Sequence, residues 1–236
     1  LKIKLELLEY FWDKHLTSLI PIQYLSGTSY WRDLKLEVSN KVLIPRPETE
    51  LIIEIITEKY INNKEKITFV DLGTGSGAIG IALALANPKW NGLATDVDKN
   101  AIEIASRNFT RNSNQSNLKF YLGNWWNPLE NFKGKIDFAV ANPPYIPHRI
   151  FIKLPRQVKN FEPRNALLGG EDGLDHITEI VRYAPSYLKE KGFLLIENHF
   201  DQGARVKQLF LENKFTSVKV LKDLSGIGRF TIGRYK

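Results

Sequence analysis

Ile67-Thr-Phe-Val-Asp-Leu-Gly-Thr-Gly-Ser-Gly-Ala-Ile-Gly80 is the stretch on which the reading of the fold turns. Its first five residues, Ile67 to Asp71, have the make-up of a buried strand, and an Ala/Ile-rich helical pattern begins at Ala78. Between them Gly73, Gly75 and Gly77 alternate with Thr74 and Ser76. Three alternate glycines would waste chain entropy in a plain turn, so the loop is read as one whose backbone passes a ligand closely at the carboxyl end of a sheet strand. Gly75-x-Gly77-x-x-Gly80 also fits the dinucleotide pattern, which leaves open a nicotinamide cofactor or another adenosine-containing one. Asp71, just before the first glycine, is placed to orient the loop or to meet a positive group, which suits a sulfonium-and-amine cofactor better than a pyrophosphate.

Downstream, strands and helices alternate. The pattern predicts helices over 78–86, 99–109, 174–189 and 202–213, and strands over 67–71, 92–96, 118–122, 136–141 and 192–197. Short apolar strands separated by helices mean a mostly parallel sheet covered on both faces. The last two strands, 217–222 and 229–235, are joined only by Asp223-Leu-Ser-Gly-Ile-Gly228. That connection is too short for a parallel crossover, so they form an antiparallel hairpin at a sheet edge. The expected architecture is α/β: a seven-stranded, mostly parallel sheet with helices on both faces and a C-terminal antiparallel hairpin, Rossmann-like.

Upstream, Leu8, Phe11, Trp12 and His15 share a face of a helix from Leu5 to Leu19, ahead of Pro21. Weak alternation through Leu34, Leu36, Val38 and Val42 predicts a hairpin between Tyr30 and Pro47, followed by a helix over roughly 49–61 and a polar break at Asn62-Asn63-Lys64.

The strand ends carry the candidate chemistry. Asp96 closes the second strand, where its carboxylate is placed to accept ribose hydroxyls, and Asp98 is the N-cap of the next helix. Gly123-Asn124-Trp125-Trp126 ends the third strand and puts an amide and the Trp125 indole beside an adenine ring, with core packing the competing role for Trp125 and the assigned one for Trp126. The fourth strand, Ile136 to Ala141, runs into Asn142-Pro-Pro-Tyr145, close to the glycine loop, so the two make a site for two substrates.

Composition narrows the classes. Of 236 residues, 43% are hydrophobic and 25% charged, the balance of an ordered globular protein. No apolar run reaches a membrane span, and Leu1-Lys2-Ile3-Lys4 leads into no secretory-type segment, so a cytoplasmic protein is expected. The chain has no Cys, which excludes disulfides, thiolate zinc sites and cysteine nucleophiles. His15, His148, His176 and His199 lack ligand spacing, so no metal is expected. A net charge of +7 raises an RNA-related partner only modestly.

Leu43-Ile-Pro-Arg-Pro-Glu-Thr-Glu50, Asp71 to Gly77, Asn142 to Tyr145, Phe161-Glu-Pro163 with Ala166-Leu167, Gly169-Gly-Glu-Asp-Gly-Leu174, and the late Asp223, Gly226 and Arg229 occur in order over residues 24–235. Together they resemble the class I S-adenosylmethionine-dependent methyltransferases that modify planar nitrogens, and within them the release factor glutamine N5-methyltransferases. The glycine loop is weak by itself, and NPPY is shared with adenine N6-methyltransferases. The Pro-Arg-Pro-acid run is the discriminating piece.

The resemblance implies S-adenosylmethionine as cofactor. The candidate cofactor residues are Asp71, Gly73, Thr74, Gly75, Ser76, Gly77, Asp96, Trp125 and Asn142, and the candidate catalytic residues are Asn142, Pro143, Pro144 and Tyr145. Asn142 Oδ1 and the Pro143 carbonyl would accept the two N–H bonds of a glutamine amide and aim its lone pair at the methyl, with Tyr145 as a flat wall. The partner implied is a peptide chain release factor, with any ribosome association running through that factor, no stable nucleic-acid complex and no membrane. A ribosomal-protein glutamine and adenine N6 of DNA or RNA are the alternative substrates. The implied division is 1–47 as an N-terminal helical remnant with the hairpin and 48–236 as the catalytic domain. Similar enzymes carry several helices at the front, so the short segment before Tyr24 is expected to weaken the grip on a protein substrate. Asn124 stands where an aspartate is usual, and Glu197-Asn-His-Phe-Asp-Gln-Gly203 is a variant of the loop after the fifth strand. Arg46, Glu48 and Glu50 read as a lid or as a solvated helix start, with Glu50 open to a nearby cation. Glu162 is either an anchor for the loop after NPPY or a surface acid.

Overall fold

The computed structural model describes residues 4–60 and 66–236. The break expected at Asn62-Asn63-Lys64, the last residue of the 49–61 helix and the first three residues lie outside these. Helices α1 (Leu5–Ser18) and α2 (Ile22–Ser26) lead into the antiparallel hairpin β1 (Thr28–Trp31) and β2 (Leu34–Glu37). The hairpin is shorter than the alternation up to Pro47 suggested. The Val38 amide donates to the Gly27 carbonyl, Val42 closes a turn on Ser39, and the chain leaves the pairing there. A 3₁₀ turn over Pro47–Glu50 then winds into α3 (Leu51–Lys59). Proline suits this entry because its missing N–H falls among the donors that a helix start leaves unpaired.

From Thr68 the expected alternation holds: β3 (Thr68–Leu72), α4 (Ala78–Ala86), β4 (Asn91–Asp96), α5 (Lys99–Asn112), β5 (Leu118–Leu122) and β6 (Ile136–Ala141). After β6 come two short helices that the periodicity did not signal, α6 (His148–Phe151) and α7 (Arg156–Phe161), each entered from a proline, Pro147 and Pro155. Next are α8 (Asp175–Tyr187), β7 (Leu188–Glu197), α9 (Gly203–Glu212), β8 (Phe215–Lys222) and β9 (Gly228–Tyr235). The seven-stranded sheet has the order β5-β4-β3-β6-β7-β9-β8. Pairings from β5 across to β7 are parallel, while β9 lies antiparallel to both β7 and β8. This is the mostly parallel, Rossmann-like sheet with a C-terminal antiparallel hairpin. β7 begins at Leu188 rather than near 192 because Leu188 already pairs with Ile136, and a register shift intervenes before Phe138 meets Phe193.

Side-chain alternation divides the core between the two sheet faces. On one, Phe69, Phe138 and Phe193 of three neighbouring strands stack with centroids 5.4 and 5.2 Å apart. Ile52 and Ile56 of α3, Ile81 and Leu83 of α4, and Trp31, Leu34 and Leu36 of the hairpin complete that cluster. On the other, Val70, Leu72, Ala139 and Ile196 pack under Ile177, Ile180 and Val181 of α8 and Val206 and Phe210 of α9. The fully buried Asn108 of α5 locks the hairpin to the glycine loop: Oδ1 accepts the Glu37 amide at 2.6 Å, and Nδ2 donates to the carbonyls of Glu37 at 3.0 Å and Ser76 at 2.9 Å. Among the described residues, no helix is long and apolar enough to cross a membrane.

Candidate active site

In a parallel sheet all the carboxyl ends point the same way, so the loops after β3, β4, β5 and β6 gather at one edge. They line a cavity of about 1130 Å³, counted to its open mouth, with Gly73, Thr74, Gly75, Ser76, Asp96, Asn124, Trp125, Asn142 and Pro144 in its wall. Leu43, Pro45, Arg46 and Thr49 close it from the strand-to-helix segment before α3, and Asn165, Ala166 and His176 from the far side.

The glycine loop is held from two directions. Asp96 Oδ2 accepts the Gly75 amide at 2.9 Å and its Oδ1 accepts the Asp98 amide at 2.9 Å. Asp98 in turn caps α5 by accepting the Asn100 amide, as its position ahead of that helix suggested. Asp71, of the candidate cofactor residues, is fully buried beneath the loop and does not line the cavity. Its Oδ2 accepts the Thr74 hydroxyl at 2.6 Å and the Gly80 amide at 2.9 Å, so it ties the loop to the first turn of α4. Gly77 likewise stands behind the wall, as the N-cap of α4.

Asp71 Oδ1 has no hydrogen-bond partner, and burial pushes the carboxyl up to about 6 against the pull of Thr74 and Gly80. A carboxyl raised on folding contributes stability that is complete below its unfolded value near 3.8 and is lost as pH rises through 6. Asp71→Asn keeps an acceptor for Thr74 and Gly80 and removes the charge. Its stability relative to wild type should therefore rise between pH 4 and 7 by on the order of 3 kcal/mol and then level off. Chemical melts of the two proteins across that range check this, and a constant difference would show that Asp71 carries no such penalty.

Trp125 lies buried across the cavity end with its ring over Gly73, where an added Cβ would approach the indole to 2.8 Å. The two roles weighed for this residue coexist: it packs in the core and also lines the cavity. Trp126 is core, stacked on Tyr187 at 4.9 Å with its N–H on the Ile180 carbonyl. Asn124 Nδ2 donates to Glu179 Oε1 at 2.9 Å, which directs the amide oxygen away from that contact.

At the other end, Asn142 Nδ2 donates to Thr49 Oγ1 at 3.1 Å, Thr49 Oγ1 donates to Glu197 Oε2 at 2.7 Å, and the Tyr145 hydroxyl donates to Glu197 Oε1 at 3.0 Å. Glu197, at the end of β7, is 1% exposed, and burial pushes it up to about 7 against Thr49, Tyr145 and Arg229. Burial and the neighbouring Glu197 also raise Tyr145. Pro143 and Tyr145 stand behind the lining, whereas Asn142 and Pro144 face into it. Gln202 Nε2 donates to the carbonyl of Tyr145 at 3.0 Å, and the Ile146 amide donates to that of Leu167, so the variant loop after β7 and the 167–173 segment both brace the NPPY turn.

Glu162 is an anchor rather than a surface acid. It is 6% exposed and its Oε1 accepts Arg46 Nη2 at 2.6 Å, bridging the Pro-Arg-Pro run to the loop after α7. Glu50 takes its contact from the Arg32 amide at 3.3 Å. Asn165 went unmarked in the sequence, Thr49 and Ala166 entered only inside the resemblance stretches with no role of their own, and His176 was read only as lacking metal-ligand spacing. Thr49 sits inside a run read for its charges, and His176, whose ring lies 5.5 Å from that of Trp125, follows Asp175 with no periodic or motif signal of its own.

A family model described as methyltransferase small domain matches residues 47–152. The release factor glutamine methyltransferase of Prochlorococcus marinus is 40% identical over 98% of this chain and 79% of its own length. The enzyme of the same name from Bacillus subtilis is 38% identical over 89% and 74%. Among solved structures, the hMettl16 catalytic domain in complex with the MAT2A 3'UTR hairpin 6 superposes with a TM-score of 0.66 over 86% of this chain and 75% of that one, at 18% identity, a likeness of fold alone. Relatives that share more than a third of their residues along most of both chains share a family, and this chain belongs to the release factor glutamine methyltransferases.

Proposed function

We propose that the protein transfers a methyl group from S-adenosylmethionine to the side-chain amide nitrogen, N5, of a glutamine in a peptide chain release factor. The observation that carries the reading is that one cavity joins the glycine loop to Asn142, the residue that opens NPPY. The cavity fits the donor. Gly75 has nothing within 4 Å of the place a Cβ would take, so the loop backbone is open to a ligand. Asp96 offers a carboxylate for ribose hydroxyls, Asn124 Oδ1 an acceptor for an adenine amino group, and the buried Trp125 N–H lacks a partner. Asp96 and Asp98 line the wall, and of the cavity's two cations Arg46 is already paired with Glu162. That balance suits a cationic donor better than a pyrophosphate.

The donor, when bound, supplies an electrophilic methyl on a sulfonium. A glutamine amide nitrogen is a weak nucleophile because its lone pair is delocalised into the carbonyl. Asn142 Oδ1, in the cavity wall, accepts one of its N–H bonds, holds the nitrogen in place and directs the lone pair at the methyl. Positive charge develops on nitrogen as the bond forms, so this fixed oxygen dipole stabilises the transition state more than the neutral amide. The surplus proton leaves afterwards, so no strong base is required. The reading places the enzyme in the cytoplasm with translation, and its encounter with the ribosome passes through the factor.

Incubation with labelled S-adenosylmethionine, a release factor, ribosomal proteins and oligonucleotides tests this. Mass spectrometry should find one added methyl on a glutamine amide of the factor. Label on adenine, or on a ribosomal protein while the factor stays unmodified at saturation, would overturn it.

A further inference from the structure

We infer that Glu197, acting through Thr49, sets which end of the Asn142 amide faces the substrate, so that the pair are positioning residues for methyl transfer. This rests on the proposed glutamine chemistry for its catalytic consequence, but the orientation itself is a property of the protein.

The argument is one of donors and acceptors. An ionised carboxylate only accepts hydrogen bonds. Glu197 is buried at the end of β7, and above about pH 7, where it is ionised, the two hydroxyls it meets, Tyr145 on Oε1 at 3.0 Å and Thr49 on Oε2 at 2.7 Å, must both donate to it. Thr49 has a single proton, and once that is committed to Glu197 its oxygen turns only lone pairs toward Asn142 at 3.1 Å. With Glu197 ionised, the Asn142 atom facing Thr49 is therefore the NH₂ end, whichever way the amide is drawn, because the carbonyl end would set two acceptors against each other; a protonated Glu197 can donate to Thr49 and lifts the constraint. Thr49 is itself only 4% exposed. Oδ1 is left for the cavity, where Asn142 lies in the wall.

An asparagine read without this partner is ambiguous. Turned over, it would present N–H to a glutamine N–H and repel the substrate it is meant to hold. The buried carboxylate thereby converts a symmetric-looking amide into a dedicated acceptor, which selects substrates whose reacting nitrogen still carries protons. It does so from a distance: Thr49 and Glu197 are 148 residues apart in sequence, and the substrate would touch neither Glu197 oxygen, since both are already bonded to protein hydroxyls.

Two readouts, both taken above pH 7 where Glu197 is ionised, test this. In protein labelled with ¹⁵N-asparagine, the Asn142 side-chain NH₂ pair is identified by its loss in Asn142→Ser. It should be protected from exchange in wild type and in Thr49→Ser, and should move toward free-amide shifts in Thr49→Val. In single-turnover methylation of the factor, Thr49→Val should lower kcat at least about tenfold with KM and donor Kd within about twofold, the mark of an interaction made only in the transition state. Thr49→Ser should recover to within about threefold of wild type, which a purely structural loss would not predict. Should Thr49→Val fold poorly, Glu197→Gln is the second variant. It keeps the volume but no longer compels both hydroxyls to donate, and should perturb the same NH₂ pair and lower kcat. Unchanged Asn142 resonances in these variants, or full turnover despite changed resonances, would overturn the inference. If wild type leaves the factor's glutamine unmethylated, the proposed function falls, while the resonances still decide the orientation.

Discussion

Asn142→Ala lowers single-turnover methylation by at least about 10²-fold, while the thermal melt moves little. The side chain lies at the end of β6, half-buried, with one hydrogen bond to protein, that of Nδ2 on Thr49. Its loss costs folding about 1 kcal/mol, the net worth of one such bond. On the proposed mechanism its loss to catalysis is larger, because there Oδ1 acts where charge develops and is not replaced by freely moving water in a walled cavity. Matched melts and single-turnover rates with saturating donor check the separation. Near-normal methylation by the alanine protein would remove Asn142 from the chemistry.

Gly77→Ala destabilises the fold by about 2–5 kcal/mol, against about 1 kcal/mol for Gly75→Ala. Both glycines have positive φ, +88° and +56°, so an added Cβ strains either. Gly75 opens on empty space, and only that strain applies. At Gly77 the new Cβ would come within 2.8 Å of Ile81 Cδ1 and 3.2 Å of the Ala105 Cα, and the backbone of α5 has no flexible end to give way. Urea melts of the two variants give the comparison directly, and equal losses would mean that the approach of α5 is not what demands glycine at 77.

These two glycines mark how far the sequence reads. Alternation of Gly73, Gly75 and Gly77 reads as a ligand loop, yet nothing local distinguishes Gly75, which opens on empty space, from Gly77, which lies against a helix 28 positions downstream at Ala105. Periodicity located β3, α4, β5 and β6 because strand and helix repeats are local properties of the chain, written every second or every three to four residues. The six-residue link from Asp223 to Gly228 settled the antiparallel edge, since no crossover fits in it. The short helices after NPPY escaped because four to six residues hold less than two turns of pattern.

Residue types and their order were enough to place the glycine loop, Asp96, Trp125 and NPPY at neighbouring strand ends, since parallel strands with helical returns leave them no other edge. Which polar groups meet there was decided by tertiary structure alone. Arg46 finds Glu162 across 116 residues, and Asn142 reaches Glu197 through Thr49, a threonine with no charge or spacing to mark it. Such partners are chosen by the sheet order, which sets β7 beside β6, and by the turn that lays Thr49 over both. A buried carboxylate must have its donors supplied by whatever side chains the packing brings within 3 Å, and that requirement of desolvation acts on neighbours in space, not on neighbours in the chain.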